Sequence, residues 1–302
     1  IGTRGSRLAL AQSLIVKKSL AAKNPSAQFR LITVKTLGDE FQSVELFKKN
    51  NVGIFTKELE KKLLAGKIDI AVHSLKDLPT DLPPGTVLGA FPKRLDARDV
   101  VISRGGFTLK TLPLGARVGT GSIRRKRQVH RLRPDLELVD MRGNLDTRVS
   151  KVLDKKEFDA IVVAKAGLSR LNKYLKHSKP IALDQMLPAV GQGALGIQVR
   201  KNDVRSLRAV RKINHAPTEQ IVLAERAFLK ELQGGCRVPA GISSILKKGK
   251  LFLKAAVFST TNDDFLTAES RVSPKDGGKA GKALARVLLK KGARRFLKEA
   301  RG

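Results

Sequence analysis

The short apolar run Ile68–Val72 limits the possible folds more than any other stretch of the chain. It lies within residues 66–79, GKIDIAVHSLKDLP, where Gly66 and Pro79 bound it. A run of this length between two chain breakers is typical of a buried strand rather than a helix. The sequence therefore predicts a sheet with at least one fully buried strand in this part of the chain.

Polar residues follow that strand directly. They are His73, Ser74, Lys76 and Asp77. In open α/β sheets, ligands bind in the crevice beyond the carboxyl ends of the strands, so these residues are candidates for chemistry. Asp77 is the strongest candidate because it is followed by apolar residues. The alternative is that Asp77 only closes the turn into Pro79, as Asp often does before proline.

Strand and helix patterns alternate along most of the chain. Predicted strands cover residues 1–3, 28–36, 68–72, 86–91, 100–103, 117–119, 136–141, 158–164 and 251–258. A further apolar strand follows the glycines of residues 191–196 and runs to Arg200. Predicted helices cover residues 7–23, 53–65, 123–133, 218–232 and 279–300, with Thr218 as a cap. Two further predicted helices carry Arg148 and Arg170. A loop of the lid type is predicted at 37–52 and a hinge at 93–98. This alternation predicts an α/β fold with mainly parallel sheets and crossover helices.

The net charge indicates an anionic partner. The chain has 60 Lys and Arg against 27 Asp and Glu, a formal charge of +33. Nucleic acid, acidic lipid or a polycarboxylate could each account for such an excess. Cations between residues 117 and 148 are almost all arginine, whereas lysine dominates the C-terminal third. Because arginine grips carboxylate or phosphate with a planar fork, the middle of the chain is the predicted binding surface.

Several arginines occupy predicted strand ends or helix starts. Arg124 and Arg125 lie in the first turn of a helix, where the dipole disfavours cations, so an anion bound between them is expected. The alternative is that both are solvated. Arg4 and Ser6 lie where a helix N-terminus could bind an anion, although Ser6 could be only a cap. Further arginines follow later strands, and they are Arg142, Arg148 and Arg170.

The chain has one cysteine, Cys236. It excludes an internal disulfide and an all-cysteine metal site, and no metal is expected. Because it follows two glycines that end a predicted helix, it could be exposed and reactive. The alternative is a small buried hydrophobic residue. No apolar run approaches the length of a membrane span, and no hydrophobic leader opens the sequence, so export is not expected.

Eight motifs together resemble the porphobilinogen deaminase family, whose members are also called hydroxymethylbilane synthases. They are GTRGSRLALAQ from Gly2, FTKELE from Phe55, DIAVHSLKDLP from Asp69, VGTGSIRR from Val118, RGNLDTR from Arg142, AGLSR from Ala166, LPAVGQGALG from Leu187 and AERAFLKELQGGCRVP from Ala224. Their order and spacing over nearly the whole chain make the resemblance specific.

The resemblance implies three domains, two similar to periplasmic binding proteins and a small α+β C-terminal domain. The implied boundaries are 1–93 with about 190–212, then 97–187, then 217–302. The implied activity joins four porphobilinogen molecules head to tail with loss of ammonia. They are added to a dipyrromethane cofactor held by a thioether to Cys236, and hydrolysis then releases hydroxymethylbilane.

The resemblance also assigns roles to residues. Asp77 would be the catalytic carboxylate, acting as both acid and base. Cofactor contacts would come from Ser74, Lys76, Thr120, Ser122, Arg124, Arg125, Arg142 and Arg148. Substrate contacts would come from Arg4, Ser6, Arg142, Arg148 and Arg170. Two positions depart from the family pattern. Val52 replaces a common lysine, for which Lys48 or Lys49 could substitute, and Gly121 replaces a frequent serine.

The implied substrate agrees with the arginine cluster, since each porphobilinogen carries an acetate and a propionate. It leaves the lysine surplus unexplained. Two alternatives remain: a non-catalytic anion-binding protein of periplasmic type, and a basic nucleic-acid-binding protein. The second is disfavoured because aromatic residues make up only 4% of the chain, with no Trp and one Tyr. We therefore expect porphobilinogen as partner, no nucleic acid or membrane, and a monomer. The expected location is the cytoplasm, or an organelle if a targeting peptide was removed.

Overall fold

A computed structural model describes residues 1–36, 56–233 and 238–300. The chain divides into two compact units. Unit 1 consists of Ile1–Leu95 and Gly193–Glu219, and unit 2 of Asp96–Gln192 and Gln220–Gly302. The three-domain division implied by the family resemblance, which would split unit 2 further, stays a prediction.

Unit 1 contains a mixed sheet. Its strands are β1 (Gly2–Arg4), β2 (Ile32–Val34), β3 (Ile70–Ser74), β4 (Thr86–Ala90) and β10 (Leu195–Arg200). Its helices are α1 (Arg7–Lys23), α2 (Lys57–Leu64), α6 (Val204–Arg211) and the first residues of α7 (Ala216–Glu231). The strand order is β2-β1-β3-β10-β4, and β1 runs parallel to both β2 and β3.

Strand β10 makes this sheet less parallel than predicted. It pairs antiparallel with both β3 and β4. The chain returns to β10 from unit 2, so no crossover helix within unit 1 forces it to run parallel to its neighbours. The expectation of a mainly parallel sheet is therefore wrong for this half of the sheet.

Strand β3 is covered on both faces. Ile70 and Val72 belong to a core that includes residues of α1 and β10, and Ala71 belongs to a second core with Leu59 and Leu63 of α2. A strand buried on both faces has a continuous apolar run rather than an alternating one. This explains the sequence pattern that predicted the strand.

Unit 2 contains a second mixed sheet. Its strands are β5 (Asp99–Ser103), β6 (Arg117–Gly119), β7 (Glu137–Val139), β8 (Ala160–Ala164) and β9 (Ser178–Pro180). Its helices are α3 (Ile123–Leu132), α4 (Leu145–Leu153) and α5 (Lys165–Leu171). The order is β7-β6-β8-β5-β9, with β6 parallel to β7 and β8, and β5 antiparallel to β8 and β9.

The C-terminal part of unit 2 forms a smaller layer of helices on an antiparallel sheet. Its strands are β11 (Ala240–Lys247), β12 (Lys250–Phe258) and β13 (Phe265–Val272), in that order. They pack on α7 and on α8 (Gly277–Leu288), and α9 (Arg294–Glu299) follows. The sequence predicted only β12. The predicted α/β fold with a small α+β C-terminal layer is confirmed.

Two helix boundaries differ from the prediction. Helix α7 begins at Ala216, before the predicted cap Thr218, whose N–H donates to Nδ1 of His215 at 3.2 Å. The last predicted helix is interrupted because Gly292 has a φ of 103°, a left-handed conformation that glycine adopts without a steric cost. In the described part of the chain, no helix is both long and apolar enough to cross a membrane.

Candidate active site

The polar residues of unit 1 meet at one edge of its sheet. Arg4 ends β1 and Ser74 ends β3, and these strands are parallel neighbours. The 3₁₀ turn Leu75–Asp77 follows β3 at once. Because parallel strands end at the same edge, the fold places Arg4, Ser74 and Asp77 on the same side of the sheet, as the sequence predicted for a ligand crevice.

The Asp77 carboxylate is positioned by buried neighbours, and the turn that contains it is not closed by its side chain. Leu75 and Leu78 are 1% and 3% exposed, and the N–H of Leu75 donates to the carbonyl oxygen of Ala194 at 3.1 Å. The turn is closed by the backbone, since the N–H of Leu78 donates to the carbonyl oxygen of Leu75. Among the described residues, the half-buried Asp77 side chain accepts no hydrogen bond and forms no ion pair. The simpler interpretation, that Asp77 only closes the turn, is therefore not supported.

Ser74 is held by a residue that the sequence analysis did not single out. The side-chain amide of Gln12 donates to Ser74 Oγ at 2.8 Å. Gln12 is buried in α1, only 3% exposed. Ser6 acts as the N-cap of the same helix, because its Oγ accepts the N–H of Ala9 at 3.3 Å. The capping alternative for Ser6 is thus observed, while its contact with substrate stays a prediction.

His73 lies in the core and not at the crevice. It is 4% exposed, and its Nε2 lies 2.9 Å from Oε1 of Gln198. Gln198 in turn donates to Thr86 Oγ1 at 2.9 Å and to Glu60 Oε1 at 3.3 Å. Burial raises the pKa of the Glu60 carboxyl. The suggestion that His73 takes part in chemistry is therefore corrected: it belongs to a buried polar network behind β3.

Unit 2 also gathers polar residues at one sheet edge. Strand β6 lies between β7 and β8 and runs parallel to both, so the carboxyl ends of the three strands lie together. Thr120 follows β6, Arg142 follows β7, and Arg170 lies in α5 directly after β8. Arg142 is exposed. Burial lowers the pKa of the Arg170 guanidinium to about 10, which still leaves it charged at neutral pH.

The remaining predicted polar contacts lie beside these strand ends. Ser122 occupies the N-cap position of α3, and its N–H donates to Thr120 Oγ1 at 3.3 Å. Arg148 lies in α4, and its Nε donates to the carbonyl oxygen of Gly143 at 2.8 Å. Each residue therefore has a defined local position, and its contact with cofactor or substrate stays a prediction.

Arg124 and Arg125 have a buried protein anion between them. Arg124 Nη1 donates to Asp99 Oδ2 at 2.8 Å, and Arg125 Nε donates to Asp99 Oδ1 at 2.9 Å. All three are buried, with Asp99 0% exposed. Burial alone would raise the pKa of Asp99, but the two guanidinium groups outweigh it and lower that pKa to about 2. An anion does lie between the pair, as the helix dipole suggested, but it is a carboxylate of the protein that the sequence analysis missed.

A glycine is favoured at position 121 because the backbone that follows β7 passes close to it. A Cβ atom at Gly121 would lie 2.7 Å from the carbonyl oxygen of Met141, which is a backbone atom and cannot easily move. The side chain of Met141 also fills the space beside Gly119. The glycine that replaces the family's frequent serine therefore suits the packing of this chain.

Some predicted features lie outside the described residues. They are Cys236, Val52, Lys48, Lys49 and the predicted loop at 37–52. Among the residues that are described, no group of three or more His, Cys, Asp or Glu side chains could hold a metal ion.

The fold and the two sheet edges define an α/β protein with an uncommitted carboxylate in one unit and a guanidinium-rich edge, suited to polycarboxylate ligands, in the other. Residues 1–208 match the family described as "Porphobilinogen deaminase, dipyromethane cofactor binding domain", and residues 220–290 match "Porphobilinogen deaminase, C-terminal domain". The chain belongs to the porphobilinogen deaminase family.

Curated relatives agree over the full length. The porphobilinogen deaminase of Chlorobium limicola is 47% identical over 305 residues, covering 100% of this chain and 97% of the relative. That of Moorella thermoacetica is 46% identical and covers 99% and 95%. That of Carboxydothermus hydrogenoformans is 43% identical and covers 100% and 96%. The chain is therefore an enzyme of tetrapyrrole biosynthesis that polymerises porphobilinogen and uses a dipyrromethane cofactor.

Solved structures with a similar arrangement are remote. The VFT2 domain of Bordetella pertussis BvgS has a TM-score of 0.38 at 15% identity, over 67% of this chain and 76% of that domain. The substrate-binding protein of an amino acid ABC transporter has a TM-score of 0.32 at 15% identity, over 67% and 78%. Similarities this weak carry no conclusion about the site.

Proposed function

We propose that Asp77 is the acid–base group with which this enzyme joins four porphobilinogen molecules head to tail, losing ammonia at each addition. The supporting observation is its position: a half-buried carboxylate beyond the end of β3, without a hydrogen-bond or ion-pair partner among the described residues. A carboxylate that caps no turn and pairs with no cation is available to exchange protons with a ligand.

Each addition requires two proton movements that one carboxylate can serve. The protonated acid donates to the departing amine, and the resulting carboxylate stabilises the cation that develops on the substrate. After the new carbon–carbon bond forms, the carboxylate accepts a proton from the pyrrole. Buried neighbours on both sides of the turn, Leu75 and Leu78, hold this group in one place for both steps. Hydrolysis then releases hydroxymethylbilane.

The residues of unit 2 suit the cofactor's carboxylates. When bound, the dipyrromethane supplies the pyrrole end to which the first substrate is joined, and we propose that it is attached at Cys236. Arg142 and Arg148 would bind its acetate and propionate groups through charge-assisted hydrogen bonds, with Thr120 and Ser122 beside them. Arg124 and Arg125 share one carboxylate, so two buried positive charges face one negative charge. The excess charge at the start of α3 favours a bound anion.

We propose that the substrate's own carboxylates are bound by cations of both sheet edges. In unit 1 these contacts would come from Arg4, with Ser6 as a hydrogen-bonding partner, while Ser74 and Lys76 would contact the cofactor. In unit 2 they would be Arg142, Arg148 and Arg170, of which the first two would also serve the growing chain. We further propose that the enzyme acts as a monomer in the cytoplasm, or in an organelle if a targeting peptide was removed, and that it needs no nucleic acid.

The test is Asp77→Asn with Asp81→Asn as a matched control, since Asp81 is an exposed acid four residues away. Asp77→Asn should lower porphobilinogen turnover by about 100- to 10,000-fold, because it removes the acid–base group. Circular dichroism should be unchanged. Intact mass should still show the two-pyrrole addition on the single cysteine. The Asp81 variant should keep its turnover.

Two results would count against this proposal. One is near-normal turnover of the Asp77 variant with the cofactor attached. The other is an equal loss in both variants, which would mean that charge near the turn matters rather than proton transfer by Asp77.

A further inference from the structure

The C-terminal sheet has one covered face and one partly open face. Leu251, Leu253 and Ala255 of β12 point into a core shared with Phe228 of α7 and Leu284 of α8. The residues between them point the other way and are exposed near the β11–β12 turn. We call this region the outer face, formed by Ile245, Lys247, Lys250, Phe252, Lys254 and Arg271.

Strand register places two apolar side chains at the middle of the outer face. Ile245 pairs directly with Phe252, which pairs with Arg271 on the next strand. Ile245 is 47% exposed and Phe252 is 37% exposed. The guanidinium carbon of Arg271 lies 5.1 Å from the centroid of the Phe252 ring. Directly paired residues share one face of a sheet, so these three form a continuous patch.

Lysines surround that patch. Lys247 pairs with Lys250 at the turn, and Lys254 lies at the far side of Phe252. Lys248 lies in the turn itself. Beside the outer face, Glu269 pairs with Lys254 across the strands, and its carboxylate forms an ion pair with the Lys254 ammonium group at 2.8 Å. The net charge of the outer face is strongly positive. Most of its cations are lysine ammonium groups, which attract an anionic surface without requiring a bidentate geometry.

We propose that the outer face binds the surface of an anionic lipid bilayer. Ile245 and Phe252 enter the headgroup region, while the lysines around them lie against lipid phosphates. A nucleic acid fits the face less well, because Arg271 already lies over the Phe252 ring and Ile245 offers no stacking surface for a base. The proposal departs from the expectation that no membrane takes part, and it gives a physical role to part of the lysine surplus.

The expected effect is large enough to measure. One lysine near an anionic membrane surface strengthens binding by about fivefold. Replacing three lysines should therefore weaken binding by about 100-fold. Because the attraction is screened by salt, binding should also fall as ionic strength rises.

The experiment is co-sedimentation of the full-length enzyme with vesicles. One set contains equal parts of phosphatidylcholine and phosphatidylglycerol, and the other contains phosphatidylcholine alone. The test variant is Lys247→Gln/Lys250→Gln/Lys254→Gln. The matched control is Lys282→Gln/Lys290→Gln/Lys298→Gln. It removes the same charge from the exposed surface of the helical layer that covers the sheet's other face.

The wild type and the control should bind the anionic vesicles, and the test variant should bind about 100-fold more weakly. Porphobilinogen turnover without vesicles, equal in all three proteins, would show that each is folded. Equal losses of vesicle binding in the two triple variants would overturn the proposal. It would also be overturned if the wild type bound phosphatidylcholine vesicles as strongly as anionic vesicles. A test variant that lost binding to a single-stranded RNA oligonucleotide but kept vesicle binding would overturn it in favour of nucleic acid. The single substitution Phe252→Ser should also weaken binding of the enzyme to anionic vesicles. Unchanged binding in this variant would exclude insertion of the Phe252 ring.

Discussion

Replacing Asp99 with Asn should destabilise the enzyme, because Asp99 is the buried counter-charge that Arg124 and Arg125 share. Asp99 is fully buried, and Arg124 and Arg125 are 4% and 6% exposed. The substitution keeps the shape of the side chain but leaves two guanidinium charges without a counter-charge. An uncompensated buried charge is among the most costly changes that a single substitution can make.

The size of the effect follows from the structure in two ways. The pKa of Asp99 is lowered from 3.8 to about 2, which corresponds to about 2 kcal/mol of stability. Removing one partner of a buried ion pair costs about 3–5 kcal/mol in general. The first value is the smaller because a protonated Asp99 can still accept hydrogen bonds from its partners. We therefore expect the variant to lose about 2–5 kcal/mol of unfolding free energy.

The sign of the pH dependence is fixed as well. A folded-state pKa below the ordinary value means that Asp99 stabilises the fold when ionised. Its contribution should be fully present above about pH 4 and lost as the pH falls through about 2, the pKa in the folded state. The Asp99→Asn variant should lack this part of the acid sensitivity.

The assay is urea unfolding followed by circular dichroism, with Asp69→Asn as the matched control. Asp69 also pairs with an arginine, Arg200 at 2.9 Å, but its side chain is 66% exposed. An exposed pair contributes about 0–1 kcal/mol, so the control should change little. The double variant Asp99→Asn/Arg125→Gln should recover part of the loss, because it removes one of the unneutralised charges. A loss in Asp99→Asn no larger than in the control would refute the reasoning.

Three further predictions follow from other parts of the molecule. Gly121→Ser should lower the free energy of unfolding, measured in urea, by about 1–3 kcal/mol, because its Cβ would meet the Met141 carbonyl oxygen at 2.7 Å. The control Gly278→Ser should leave the stability unchanged, since a Cβ there would have nothing within 4 Å. Equal effects of the two substitutions would contradict the packing argument. Glu60→Gln should raise stability at neutral pH. Because the pKa of Glu60 is raised in the fold, the protonated carboxyl stabilises the folded state, and Gln resembles that protonated form. The stabilisation by Glu60 is full below about pH 4.5 and is lost as the pH rises through the folded-state pKa. A difference in unfolding free energy between the variant and the wild type that did not change with pH would contradict this. Arg142→Ala should stall chain elongation or cofactor assembly, seen as shorter or missing pyrrole additions by intact mass, and an unchanged distribution would exclude its role.

Local structure and family membership could be predicted from the order of the residues along the chain. The apolar run before Asp77 predicted β3, because a strand covered on both faces needs apolar side chains on both. The helix that starts after Ser6 was predicted with its bounds, since a capping serine and the apolar periodicity are local signals. The order of the eight motifs indicated the family, which the full-length relatives confirmed.

Contacts between residues that are distant in the sequence could not be predicted, because they depend on how the strands assemble. Asp99 lies 25 positions before Arg124 in the chain, and its carboxylate meets both arginines because β5 and β6, which α3 follows, both pair with β8. His73 looked like a site residue, but Gln198 of β10 meets it in the core. Strand order and register bring such groups together, and no local pattern encodes them. A buried charge is paired or expelled according to its neighbours in space, and those neighbours are fixed only when the sheet assembles.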